Sequence, residues 1–266
     1  MRLGRRSRGE PVVSVAARVV QGPPVPRETR VTGPLRDLRF WPETPHVVFD
    51  RVTAERVDFS GLQLWAFLAD NCRFVDCDFS GISVEGLPFA SGGSEFERCR
   101  FERSQIGDFG NVRLVGCEFI DADLSRWFTW HADIVECRFS GPLRTVVFEG
   151  SSHDGRSRND FRGNDFRDAD LDDVAFRGGI DLDAQSLPTG NEYVRLRDVK
   201  TRVKRARRKL RRLPDMTMRE EALAMLDLFA RVFTHEPDVF TKRSFILEMA
   251  DDESVGLAVL EALELA

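Results

Sequence analysis

The sequence predicts a mainly β chain, wound into coils that turn a corner every five residues and followed by a small α-helical module. Three observations carry this reading. Large apolar residues recur at a spacing of five from residue 46 to about 190, and a small residue stands two positions before most of them. The residue between the two is usually charged or polar, and after Gly190 the apolar spacing becomes helical. Helices repeat every 3.6 residues and strands every 2, so a spacing of five suits neither a long helix nor a flat strand.

Taken in chain order, residues 1–32 mix arginine with Pro23, Pro24 and Pro26, show no period, and read as a flexible tail. The apolar stretch Pro11 to Val20 is broken by Arg18 and lacks a small-residue cleavage site, so no signal peptide is expected. Leu35, Leu38, Phe40 and Trp41 then suit a segment that caps the first coil. The five-residue register begins with Phe49, Phe59, Leu64, Phe74 and Phe79, and continues through Val84 and Phe89. After an insertion around Ser91 to Ser94 it resumes at Phe96, Phe101 and Ile106, and after another near Asp108 at Leu114, Phe119, Leu124, Thr129, Ile134 and Phe139. Leu143 and Phe148 follow, and beyond an insertion through Arg158 come Phe161, Phe166, Leu171, Phe176 and Leu182. Of the 16 phenylalanines between 46 and 190, 13 fall in register, where chance would place about a fifth. The expected core is therefore Phe59, Phe74, Phe79, Phe101, Phe119, Leu124, Phe139, Phe161, Phe166, Leu171 and Phe176.

Cys72, Cys77, Cys99, Cys117 and Cys137 all occupy the small position, so they are read as buried, reduced packing residues in a cytoplasmic protein. The four histidines form no metal-ligand or triad spacing, and no glycine-rich phosphate loop is present. No catalytic residue, metal site or cofactor is assigned. Trp127 and Trp130 flank Thr129, the polar centre, and are expected to pack under a loop rather than face a partner. No apolar run approaches a membrane span.

Units such as Val57-Asp58-Phe59-Ser60-Gly61, Cys77-Asp78-Phe79-Ser80-Gly81 and Ala122-Asp123-Leu124-Ser125-Arg126 resemble the pentapeptide-repeat family. That resemblance implies a right-handed, four-sided parallel β-helix with four units per coil, so that Phe79 lies over Phe59, Phe139 over Phe119 and Cys137 over Cys117. About six coils fit, a rod of about 29 Å at a strand spacing of roughly 4.8 Å. The expected domains are a tail and cap (1–45), the β-helix (46–190) and a helical module (191–266). Each coil buries its apolar surface only on its neighbours, so both ends need caps.

Charge is distributed unevenly: residues 1–45 carry +5, 46–190 carry −11, 191–212 carry +9 and 213–266 carry −8. Val199, Val203, Ala206, Leu210 and Leu213 line one side of a basic helix expected from about Glu192 to Arg212. A second helix carries Ala222, Met225, Leu226, Phe229 and Phe233, a third begins at Asp238 or Thr241, and a last one follows Asp251 to Ser254. Arg202, Lys204, Arg205, Arg207, Arg208 and Lys209 are candidates to bind a partner protein, nucleic acid or an anionic membrane surface. The reading favoured over these is that the helix docks on or near the acidic last coils as a cap. Asp165, Asp168, Asp170, Asp172 and Asp173 are the candidate acidic binding face.

Function follows at two levels. Repeat rods serve as binding surfaces more often than as enzymes. Within the resembled family, the best-defined activity is regulation or protection of DNA gyrase by imitation of duplex DNA, often by homodimers. The repeat segment's net charge corresponds to one per about 2.6 Å, against about 1.7 Å in B-DNA, so mimicry is permitted. The alternative is a rigid scaffold whose basic helical module docks a protein or polyanion.

Overall fold

A computed structural model describes residues 28–266, apart from 86–88, 91, 126, 153 and 234. The fold is mainly β, a parallel solenoid of about five turns followed by a helical region. That is close to the six coils expected. The chain divides into two compact units, one of residues 1–123 with 136–138 and one of 124–135 with 139–266.

Four parallel ladders run through the first unit. Leu35–Arg36, Thr53–Glu55, Arg73–Val75, Ser94–Glu97 and Val112–Val115 form one, and Thr29–Val31, His46–Asp50 and Ala66–Asp70 a second. Gln63–Leu64 pairs with Ser83–Val84, and Arg100–Glu102 with Glu118–Ile120. Residues 1–27 of the expected tail lie outside the described residues. Residues 29–31, also assigned to that tail, form a strand paired in register with Val47, Val48 and Phe49. The segment expected to fold over the first coil instead continues the ladders, with Phe40 packed on Phe49 and Phe59.

The interior of this unit is a stack of phenyl rings. Phe79 stacks on Phe59 at 4.8 Å, Phe101 on Phe79 at 5.0 Å and Phe119 on Phe101 at 4.8 Å, while Phe96 stacks on Phe74 at 4.8 Å. Phe67 and Phe109 lie outside the five-residue register yet are fully buried. At Phe67 the large and small slots are exchanged: it opposes Val47 across the ladder while Ala69 opposes Phe49, and the Phe67 ring packs on Phe49 at 4.7 Å. The interior volume is conserved although the order of sizes is not.

The corners need left-handed backbone. Asp37, Arg56, Asp76 and Arg98 all have φ near 50°, as do Arg103 and Asp121. Gly61 and Gly81, with φ of 70° and 65°, turn the same kind of corner without the Cβ penalty. The cysteines are buried as expected, and the Cys77, Cys99 and Cys117 thiols donate to the carbonyls of Ala54, Phe74 and Phe96. Burial pushes the Cys72 and Cys99 thiols up, so they stay protonated.

In the second unit, Ala132–Val135 pairs with Phe161–Arg162, and the long strand Arg138–Glu149 neighbours Asp165–Arg177. Phe139 stacks on Phe166 at 4.7 Å and Phe148 on Phe176 at 5.4 Å. Thr129 and Asn164 are polar residues fully buried in this interior, and each is satisfied. Thr129 accepts from the Glu149 amide at 2.8 Å, and Asn164 donates to the Ile134 carbonyl and to Gln185. Trp127 is fully buried, whereas Trp130 and Phe128 are partly exposed and pack on each other at 5.7 Å.

The helical region begins with a strand. Residues 193–196, expected as the first turns of the basic helix, pair antiparallel with Val239–Lys242, where a third helix was expected to start. The helices are α1 (Val199–Leu210), α2 (Met216–Phe233), α3 (Arg243–Leu247) and α4 (Glu253–Glu264). Asp198 caps α1 and Asp252 caps α4 through their side chains. Val199, Ala206 and Leu210 of α1 share one buried core with Leu226 and Phe229 of α2 and with Val259 and Leu263 of α4.

Candidate interaction surfaces

Outward positions of the first unit are laid out as charge ladders, because a parallel register brings corresponding residues of adjacent coils side by side. At one corner Arg56 makes a two-pronged contact with Asp37 at 2.5 and 2.8 Å, and Arg98 one with Asp76 at 2.7 and 3.2 Å. Both carboxyls are held below the usual range by these guanidinium groups. Arg73 joins Glu95 and Glu97, and Arg100 joins Glu102 and Glu118. Exposed carboxylates outside the ladders include Asp70, Glu85, Asp108 and Asp121, none of which makes an ion pair among the described residues.

The five candidate aspartates lie along the strand Asp165–Arg177, but the coil does not gather them into one face. Asp165 is gripped by Arg167 at 2.7 and 2.9 Å and stands beside Ser186 of the next segment. Asp170 instead meets Lys242 at 2.5 Å, and Asp172 meets Arg144 at 3.0 Å and Lys242 at 3.9 Å. Asp168 is exposed, and Asp173 occupies an exposed corner with φ of 53°. Whether these acids share one face was open from the sequence; along this strand they stand at separate positions with different partners.

Asp170 and Asp172 belong to a latch that joins the helical region to the last coil. Tyr193, stacked on Phe240 at 5.3 Å, accepts from the buried Leu171 amide at 3.0 Å and reaches Asp170 at 3.4 Å. Lys242 holds the Asp170 carboxyl below its usual range. Glu236 accepts from the consecutive amides of Gly178 and Gly179, each at 3.2 Å. Gly178 has φ of 66°, and a Cβ there would lie 3.0 Å from the Gly150 amide nitrogen, so the turn that presents both amides requires glycine. Asp183 binds Arg197 at 2.6 and 2.7 Å and Arg195 at 2.9 Å, and these hydrogen bonds bring its pKa down to about 2. Sequence reading missed this latch. The available signal was Tyr193, the one tyrosine in a chain with 21 phenylalanines, where a hydroxyl is needed.

The six candidate cations of the basic helix separate into two groups. Arg202 donates to Arg197 O and to the Leu263, Glu264 and Ala266 carbonyls, closing the end of α4, and Arg207 pairs with Asp227 at 2.5 Å. Lys204, Arg205, Arg208 and Lys209 are exposed and make no ion pair among the described residues. Lys200, Arg211 and Arg212 share that condition. The helix packs on α2 and α4, so the expected docking on acidic coils is carried by the antiparallel strand pair of 193–196 and 239–242, not by α1.

No group of three or more His, Cys, Asp or Glu among the described residues is arranged to hold a metal ion. No helix among them is long and apolar enough to cross a membrane. No family model matches the chain, and no curated protein matches it. Among solved structures it is similar to QnrB1, a plasmid-mediated fluoroquinolone resistance protein. One trypsin-treated variant is 15% identical, covering 60% of this chain and 89% of that one with a TM-score of 0.23. A second is 16% identical over 54% and 89%, with a TM-score of 0.20. The full-length protein is 16% identical over 56% and 93%, with a TM-score of 0.14.

Proposed function

We propose that this chain is a non-enzymatic, cytoplasmic interaction protein of the pentapeptide-repeat type, whose acidic coils engage a protein partner. The partner class implied by the sequence resemblance is a type II topoisomerase such as DNA gyrase, approached by imitation of a DNA duplex. One observation supports the reading beyond the resemblance. After the guanidinium ladders have taken their carboxylates, Asp70, Glu85, Asp108 and Asp121 remain outward and without ion pairs among the described residues. A surface with excess negative charge on a stacked, stiff interior is suited to a groove built for phosphate. The test is a supercoiling assay with the full chain, with and without a cleavage-stabilising drug. The expected outcome is inhibition or drug rescue that weakens with salt and is lost when Asp70, Glu85, Asp108 and Asp121 are changed together to Lys. Equal activity of parent and variant would sink the reading.

A second reading is supported by a different observation. Ion pairs engage most of the solenoid's arginines, among them Arg56, Arg73, Arg98, Arg100, Arg144 and Arg167, whereas seven cations of the α1 segment stand exposed without ion pairs among the described residues. In this reading the solenoid is a rigid carrier and α1 docks a polyanionic partner. Binding that survives the quadruple Lys variant but is lost on neutralising Lys204 and Arg208 would favour it.

A further inference from the structure

Exposed cations have three ordinary fates: an internal carboxylate, a helix C-terminus, or an external anion. In α1 the first two are taken by particular residues. Arg207 has Asp227, and Arg202 has the carbonyls that end α4. At about 100° per residue these two lie at opposite margins of the buried stripe formed by Val199, Ala206 and Leu210. Lys200, Lys204, Arg205, Arg208, Lys209, Arg211 and Arg212 fill the outward half between them. Seven like charges on one half-surface repel each other, and none of the seven makes an ion pair among the described residues.

We infer that the outward half of α1 and its C-terminal turn bind the phosphodiester backbone of a nucleic-acid duplex. This rests on the second reading above and assigns its partner. Charge density is the first argument. From 200 to 212 the segment spans about 20 Å at ~1.5 Å per residue, so its cations fall about every 3 Å. A duplex presents a phosphate about every 3.4 Å along each strand. The second argument is the residue type, since Arg205, Arg208, Arg211 and Arg212 offer planar forks that fit phosphate oxygens two at a time. The third is what α1 lacks toward an anionic membrane. Helices that lie in a bilayer surface pair their cations with a free apolar face, and the apolar face of α1 is consumed in the core with α2 and α4. Contacts to the backbone alone carry no base readout, so binding is independent of sequence.

The test is fluorescence anisotropy of the full chain with a short fluorescein-labelled duplex at about 50 and 200 mM salt, conditions over which phosphate binding changes strongly. The expected dissociation constant is about 10⁻⁴ to 10⁻⁶ M near physiological salt, similar for unrelated sequences. Changing Lys200, Lys204 and Arg208 together to Gln weakens binding and lowers the log–log salt slope by about one per cation removed. The double change Arg211→Gln with Arg212→Gln, outside the helix body, lowers it again and guards against misfolding of the first variant. Two parallel titrations use phosphatidylcholine vesicles containing phosphatidylserine, and polyglutamate. Binding to either of these through the same residues, with none to the duplex, would overturn the nucleic-acid assignment and leave the polyanion reading standing. No binding to any of the three would overturn both.

Discussion

Phe119 shows how much a single position contributes. Its ring is 1% exposed and stacked at 4.8 Å on Phe101, with Phe109 meeting it edge-on at 5.9 Å. Truncation removes those contacts, and the backbone ladder on either side cannot collapse into the space. Phe119→Ala is expected to cost about 3 to 5 kcal/mol, read by denaturant unfolding. A variant that unfolds like the parent would show that the ring does not sit in the column. Interior polar residues are tolerated only where a partner is built in. Thr129 meets the Glu149 amide, and Asn164 with Gln185 satisfies carbonyls that the usual small residue would leave to the ladder alone.

At the scale of elements, two strands explain why the helical region is attached where it is. The antiparallel pairing of Tyr193–Leu196 with Val239–Lys242 places Tyr193 and Lys242 opposite each other, and both reach Asp170. Nearby, Asp183 is held at about 2 by Arg197 and Arg195. A carboxylate whose folded pKa is depressed favours the docked state above its ordinary value of about 3.9, and that contribution disappears as pH falls through the folded value. The near-ultraviolet dichroism of Tyr193, the sole tyrosine, should therefore weaken as pH drops from about 4 to about 2. A tyrosine signal unchanged across that window would mean that the ion pairs do not hold the latch. The guanidinium ladders of the first unit are exposed pairs, each of small individual worth in water, so they order the surface more than they stabilise it.

For the molecule as a whole, the latch has a consequence beyond stability. Strand edges at the end of a parallel coil are templates for further pairing, and here residues 191–266 cover the last coil of their own unit. A chain ending at Gly190 should expose the Leu171 amide, the Gly178 and Gly179 amides and the side of Phe176. Self-association is expected, read as a rise in scattering mass with concentration. A truncated chain that stayed monomeric would show that the module is not a needed cap. Such a chain would be unsuited to testing topoisomerase binding, which is why the charge variants keep the full length.

The five-residue spacing made the solenoid legible because every unit repeats the same demand: a large residue inward, a small one inward, and a polar one between. That local rule located Phe59, Phe79 and Phe119, the buried cysteines and the outward charge. It did not locate Phe67, since exchange of large and small slots keeps the volume but breaks the count. The basic helix was legible from its apolar stripe, yet its first expected turns are a strand because Val239–Lys242, far along the chain, supplies a pairing partner, with Phe240 opposite Arg195. Which charges are free was never a property of spacing. Arg202 and Lys204 look alike in sequence, and only the fold brings the end of α4 to one and leaves the other in solvent. Sequence alone determined the repeating, near-neighbour part of this protein, because each coil is specified by its own residues. The tertiary structure decided the latch, the division of the acidic cluster and the free face of α1, because these depend on groups far apart in the chain meeting at one place.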